Sequence, residues 1–290
     1  MTAFSELYFK SDDGLTLYAR DYAAVGTQAK CPIICVHGLT RNSSDFEDIA
    51  PWLAQQSRRV IAVDVRGRGK SDYDVNTDNY NPMRYAKDIA NLMYQLGIAR
   101  AVFIGTSMGG ITTMTLALQN LKLIVAAVLN DVGPSLSHTG LARIAGYAGK
   151  GKSLNNMDEA REYIKEINHY AFPHNSEQEW AKWAQRAFSV NHEGSVVARY
   201  DPNIALPLQN GRLKARSFWS KLAFKRLTKN RTCLLIRGGI SDLIEAEQLQ
   251  EMQKLAPRLQ YAEVPGVGHA PMLNEPAAKT ALQHFLTQCD

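Results

Sequence analysis

From about residue 32 the sequence alternates short, apolar, β-branched runs with segments long enough to be helices. Parallel strands are buried on both faces, so they read as continuous apolar runs, and they need a crossover of a dozen or more residues between them. The pattern predicts strands over 32–38, 59–65, 101–106 and 123–131, with helices over 43–57, 82–96 and 108–120. Ahead of it, "FSELYFK" and "LTLYARDY" read as a hairpin. The alternation breaks after Asp131. Between 134 and 215 no convincing buried strand occurs, and helix-like stretches over 140–149, 157–170 and 176–190 carry Tyr163, Tyr170, Phe172, Trp180 and Trp183. It resumes with a strand over 232–238, a helix over 245–256, a strand over 259–265 and a helix near 275–287. The expected class is α/β, a mostly parallel twisted sheet of about eight strands flanked by helices. Residues 1–133 and 216–290 form its core, and 134–215 form an inserted helical cap.

Composition narrows the function classes. A chain of 290 residues, 45% hydrophobic, can bury one large core with a smaller insertion. Its longest apolar runs, such as "LIVAAVL", fall short of the roughly 20 residues that cross a bilayer. The opening "MTAFSELYFKSDDG" lacks the pattern of a secretory leader, and the cytoplasm is the expected location. Cys31, Cys35, Cys233 and Cys289 show no ligand spacing and read as free thiols. The formal charge of +5 is modest. Its main source, "RLKARSFWSKLAFKRLTKNR" over 212–231, reads as the solvated face of an amphipathic helix with Phe218, Leu222 and Phe224 at helical spacing. Without a nucleic-acid motif, no nucleic-acid partner is expected.

The stretch "GTSMGG", Gly105 to Gly110, lies where an apolar strand hands over to a helix. A sharp turn there strains the serine backbone and lifts its hydroxyl above the sheet edge, and glycines at 105 and 109 keep the turn free of collisions. Phosphate-loop and dinucleotide-loop spacings are absent. A nucleophilic Ser107 needs a base, and the base needs a partner that holds its tautomer. His269, in the Gly/Pro-rich loop after the last strand, lies at the edge where open α/β sheets assemble their sites. Asp242, just beyond the strand over 232–238, is the preferred acid; Asp131, ending the strand beside that of the nucleophile, is its competitor. Backbone N–H groups of Met108 and of Leu39, in "HGLTRN", are the candidate donors to an oxyanion. His37 reads as a structural hydrogen-bonder rather than a second base.

These stretches occur in one order: "VHGLTRN", "VDVRGRGKSD", "GTSMGG", "LIRGGISD" and "GVGHAP". With that order the chain resembles the α/β-hydrolase superfamily, in its cap-bearing branch of esterases, lactonases and carbon–carbon bond hydrolases. The resemblance implies Ser107, Asp242 and His269 as nucleophile, acid and base. It argues against epoxide hydrolases and haloalkane dehalogenases, whose nucleophile is aspartate. Ala270 and Pro271 follow His269 where carbon–carbon bond hydrolases usually carry tryptophan. In this superfamily "VDVRGRGKSD" looks like a structural turn set by Asp64, Arg66 and Gly67.

Arg41 could clamp a substrate carboxylate or bridge to Asp45 or Asp131. Trp180 and Trp183 could line an acyl pocket or pack the core. The expected activity is hydrolysis of a small-molecule ester or lactone by a monomer or homodimer, with no cofactor and no metal. The rival readings are carbon–carbon cleavage of a diketone-like metabolite and a ligand receptor on a hydrolase scaffold.

Overall fold

The computed structural model describes residues 4–211 and 215–289. The first strands, β1 (Ser5–Lys10) and β2 (Thr16–Tyr22), form the expected antiparallel hairpin. Then come β3 (Lys30–Val36), a short α1 (Ala50–Ala54) and β4 (Arg58–Asp64). They are followed by α2 (Pro82–Gln95), β5 (Ala101–Thr106), α3 (Met108–Asn120) and β6 (Ile124–Asn130). An insertion holds α4 (His138–Tyr147), α5 (Met157–Asn168), α6 (Glu177–Ala187), the short strands β7 (Phe188–Val190) and β8 (Val196–Ala198), and α7 (Leu206–Gln209). The chain closes with α8 (Phe218–Asn230), β9 (Thr232–Gly238), α9 (Ala246–Leu255), β10 (Gln260–Val264) and α10 (Pro276–Leu286).

Eight strands form one sheet in the order β1-β2-β4-β3-β5-β6-β9-β10. Pairing is antiparallel from β1 through β2 to β4 and parallel from there on. The strand order reverses at β3, whose neighbours are β4 and β5. A crevice opens outside the carboxyl ends of the strands at such a point. The period-two alternation divides the core: Ile34, Val36, Phe103, Leu129 and Leu235 face one layer, and Ile33, Cys35, Ile104, Val128 and Ile236 face the other. Each such side chain, fully buried, contributes about 1.5–3 kcal/mol. Helices α2, α3 and α8 bury apolar residues in the first layer, α1 and α10 in the second.

Three local expectations are corrected. The segment 43–57 is not one helix but a 3-10 turn, Ser43–Phe46, followed by α1. Pro51 sits in the first turn of α1, where its missing N–H is harmless, whereas inside one long helix it would remove a bond and clash. The 3-10 turn is capped by Asp64 Oδ1, which accepts the Ser43 N–H at 2.6 Å, and by Asn42 Oδ1, which accepts that of Ser44 at 2.9 Å. The insertion also contains the β7–β8 hairpin, too short to leave an alternation signal. On α8 the buried face is Ala223, Phe224 and Leu227, while Phe218, Trp219 and Leu222 are exposed. The start of the basic segment, 212–214, lies outside the described residues.

Cys35 and Cys233 are buried free thiols. Among the described residues no helix is long and apolar enough to cross a membrane. The turn after β4 is held from within. Asp64 accepts from the Ser43 and Lys70 N–H groups, and buried Arg66 pairs with Asp13, Asp74 and Asp88. The insertion has its own apolar centre around Trp180, Trp183, Phe172, Ile164 and Phe188. It is pinned to the sheet domain through Arg186, which pairs with Glu47 and Asp48, and through Tyr80, whose hydroxyl donates to Asp201 at 2.5 Å.

Candidate active site

β5 delivers Ser107 at the head of α3 with φ 52° and ψ −115°. A positive φ at a non-glycine residue costs on the order of 1–3 kcal/mol and persists only where its surroundings fix it. Glycines do so here: a Cβ at Gly105 would stand 2.5 Å from the Gly110 nitrogen, and one at Gly109 would stand 2.0 Å from the Val36 carbonyl oxygen. The turn is drawn tight against β3, leaving the serine side chain facing the crevice loops. A Cβ on Gly38 would lie 3.7 Å from Ser107 Cβ.

His269 Nε2 is 2.9 Å from Ser107 Oγ. Its Nδ1 is 2.8 Å from Asp131 Oδ2. The preferred acid is therefore corrected: Asp131 stands behind the imidazole, and Asp242 does not. Asp131 follows β6 with φ 54° and is wholly buried. Its Oδ1 accepts the Gly238 N–H at 3.0 Å, and its Oδ2 also accepts the Ser241 hydroxyl at 2.6 Å. Three donors from β9, its following loop and His269 thus fix the carboxylate. Asp242 instead accepts both Nε and Nη2 of Arg143, at 2.5 and 2.9 Å. The cause lies in the insertion. Gly140 lets α4 press onto the backbone of Asp242 and Leu243, where a Cβ would meet the Asp242 carbonyl oxygen at 2.8 Å, and Arg143 follows one turn later on the same face.

Met108 opens α3, so its N–H has no carbonyl within its own helix. Leu39 lies in the loop beside Ser107 and lines the same cleft. Arg68, missed in the sequence although it stands inside "VDVRGRGKSD", connects these two positions. Its buried guanidinium donates to the Leu39 carbonyl at 3.1 Å and the Tyr85 hydroxyl at 3.0 Å, and Nη2 lies 3.3 Å from Met108 Sδ. The contact of Ser241 with Asp131 depends on two strand ends meeting, which no local signal reveals.

His37 has the structural role expected of it. Nδ1 donates to the Gly38 carbonyl at 2.7 Å, and Nε2 accepts the Val65 N–H at 3.1 Å. Burial, helped by the charges of Arg68 and Arg41, pushes it down to about 3 from an ordinary value of 6.5. The unfolded chain protonates this imidazole below pH 6.5 and the folded one only near pH 3. Its contribution is therefore complete above pH 6.5 and lost as pH falls towards 3, at up to about 1.4 kcal/mol per pH unit. In urea unfolding at pH 7, 5.5 and 4.5, the stability of the native sequence relative to His37→Gln should fall with pH. Parallel pH curves would refute this.

A cleft enclosing about 950 Å³, mouth included, is lined by Ser107, His269, Arg41, Tyr147, Asn168 and Trp183 among others. Helices α4, α5 and α6 supply its roof. Arg41 takes the bridging option: Nε lies 2.7 Å from Asp45 Oδ2, and the guanidinium lies 4.2 Å from the Trp183 ring centroid. Of the two candidate tryptophans, Trp183 lines the cleft. Trp180 does not; it is stacked beneath Trp183 with ring centroids 5.6 Å apart. A hydroxyl, an imidazole and a buried carboxylate in line can pass a proton from oxygen to nitrogen while the carboxylate holds the other ring N–H.

Comparison with known proteins agrees with this architecture. Residues 32–276 match the family model described as the alpha/beta hydrolase fold, and the chain belongs to that family. It is 30% identical over 260 residues to the 3-hydroxybutyrate-oligomer hydrolase of Cupriavidus necator, covering 88% of each chain. It is 28% identical to the sn-1-specific diacylglycerol lipase of Mus musculus, covering 82% of this chain and 74% of that one. A solved alpha/beta hydrolase from Novosphingobium aromaticivorans superimposes with a TM-score of 0.90 at 37% identity, covering 99% of both chains. The family and these relatives are those of a hydrolase.

Proposed function

We propose that the protein hydrolyses carboxylic esters or lactones through an acyl-enzyme on Ser107, with His269 as base and Asp131 as the acid that orients it. The observation that carries this reading is the continuous line from Ser107 Oγ through His269 to Asp131 Oδ2, at 2.9 and 2.8 Å. With the carboxylate ionised, Nδ1 holds the proton and Nε2 is left as acceptor. Ser107 Oγ bonds to the carbonyl carbon as its proton moves to Nε2, and the Leu39 and Met108 amides hold the developing oxyanion. Collapse breaks the bond to the alcohol oxygen, which leaves with the proton from Nε2. Water then gives a proton to Nε2 and its oxygen to the acyl carbon, releasing the acid and restoring the serine. The segment 134–215 acts as the cap that encloses the substrate. The similarity to an oligomer hydrolase and a lipase supports ester chemistry.

The test is a panel of p-nitrophenyl esters, lactones, amides and a vinylogous diketone, with acid quenching after a few milliseconds and mass analysis of the peptide that carries Ser107. An acyl mass increment on that peptide is expected with esters. Ester turnover that never acylates it would overturn the mechanism, and turnover of the diketone alone would replace the reaction.

Arg68 serves in this reading as a positioning residue for the oxyanion donors. Arg68→Met should lower kcat by about a hundredfold, the cost of misplacing groups around the reacting atoms, with KM nearly unchanged. A raised KM at unchanged kcat would assign Arg68 to binding instead.

A further inference from the structure

A second cavity opens on the other side of Ser107. It shares only Leu39, Ser107 and Ile144 with the cleft, and its remaining lining includes Met108, Ile111, Leu136, Leu141, Leu208 and Leu243. The two phenols that border it, Tyr80 and Tyr85, have their hydroxyls engaged elsewhere. Tyr80 donates to Asp201 and accepts the Asp74 N–H, and Tyr85 accepts from Arg68. Ser107 is thus the polar member of an otherwise apolar lining. The cleft differs in being mixed: beside apolar and aromatic residues such as Ile164, Trp183 and Phe188, its wall carries Thr40, Arg41, Asp45, Thr106 and Asn168.

His269 and the four residues after it line the cleft, and none of them lines the apolar cavity. That asymmetry sets the direction of the substrate. The proton on Nε2 has to reach the departing alcohol oxygen within hydrogen-bond distance. The alcohol must therefore leave on the side where His269 opens, and the acyl chain must occupy the other.

Resting on the acyl-enzyme reading above, we infer that the apolar cavity is the acyl chamber and the cleft that His269 opens into is the leaving-group site. The substrate class is then an open-chain ester of an unsubstituted, medium-length aliphatic acid. Within that reading an open chain is favoured over a lactone, whose acyl and alcohol ends are tied into one ring and fill the two cavities less well. An apolar wall selects methylene groups by burial, and a hydroxyl placed against it would lose its hydrogen bonds.

The experiment compares two isomers with the same atoms reversed about the ester: ethylene glycol monooctanoate and octyl glycolate. The native protein should hydrolyse the monooctanoate with a kcat/KM about a hundredfold higher, within the range that a few pocket contacts produce. The intrinsically more reactive carbonyl belongs to the glycolate, so reactivity works against the expected result. Leu141→Trp, which narrows the chamber, should reduce the preference at least about tenfold while leaving the ranking of different alcohols at constant acyl group unaltered. Equal rates, preference for octyl glycolate, or a Leu141→Trp effect on alcohol ranking instead would overturn the assignment. So would hydrolysis of neither isomer by a protein that acylates Ser107 with other esters. Failure to acylate Ser107 with any ester would take down the hydrolase reading itself. The isomer comparison needs no variant, so it stands even if Leu141→Trp does not fold.

Discussion

Asp131→Asn should lower kcat by about 10⁴-fold, as expected when the carboxylate that holds a catalytic imidazole in its tautomer is replaced by an amide. Asp242→Asn should cost less than about tenfold. The contrast follows from the hydrogen bonds. Asp131 Oδ2 faces His269 Nδ1, and an amide NH₂ in that position would turn the ring's proton to Nε2, where the serine needs an acceptor. Among the described residues the Asp242 carboxylate pairs with the Arg143 guanidinium, and its loss should be felt as a looser α4. Steady-state kinetics on the best ester of the panel decides the matter. A large loss at Asp242 with little at Asp131 would reverse the assignment of the acid. Because Asp131 is buried and also accepts from Gly238 and Ser241, circular dichroism and a melting curve should accompany the kinetics.

Ser107→Ala should remove about 10⁶-fold of the activity, since a serine nucleophile and its base act as a unit and losing either costs about as much as losing both. His269→Ala in the same background should therefore add almost nothing. The residual rate would come from binding and from the oxyanion donors, which neither substitution touches. Activity retained in Ser107→Ala would remove the basis for the acyl-enzyme. An additive loss in the double variant would show that Ser107 and His269 do not work on the same proton.

Elements with sharp chemical boundaries were legible in the sequence. β5, α3 and β9 begin and end at the expected residues, because short apolar runs mark the two strands and glycines mark the β5–α3 turn and the end of β9. The 43–57 segment failed at Pro51, which has no N–H to carry a helix on from Ser43; the bonds that Asp64 and Asn42 accept from the Ser43 and Ser44 N–H groups cap the first short turn. The pairing of Ser107 with His269 could be anticipated from their places at strand ends. The choice between Asp131 and Asp242 could not. Both end strands at one edge, and what separates them is a helix of the insertion that brings Arg143 onto one of them. The division into cleft and apolar cavity was hidden for the same reason: the insertion carries apolar residues in no simple period, and their partners lie on distant parts of the chain.

The hydrogen bonds behind Asp131 have a consequence for how this protein comes into being. Its Gly238 partner lies 107 residues further along, and His269 is 138 residues away. Closing loops of that size is slow compared with local pairing, and synthesis completes β1 to β6 first. During translation Ser107 can already sit on its finished turn, yet nothing is present to take its proton. The insertion meanwhile emerges and folds around its tryptophans before β9 and β10 exist. In the proposed mechanism reactivity therefore arrives only with the segment from β9 to His269, and a nascent chain that stops short of His269 carries an inert serine.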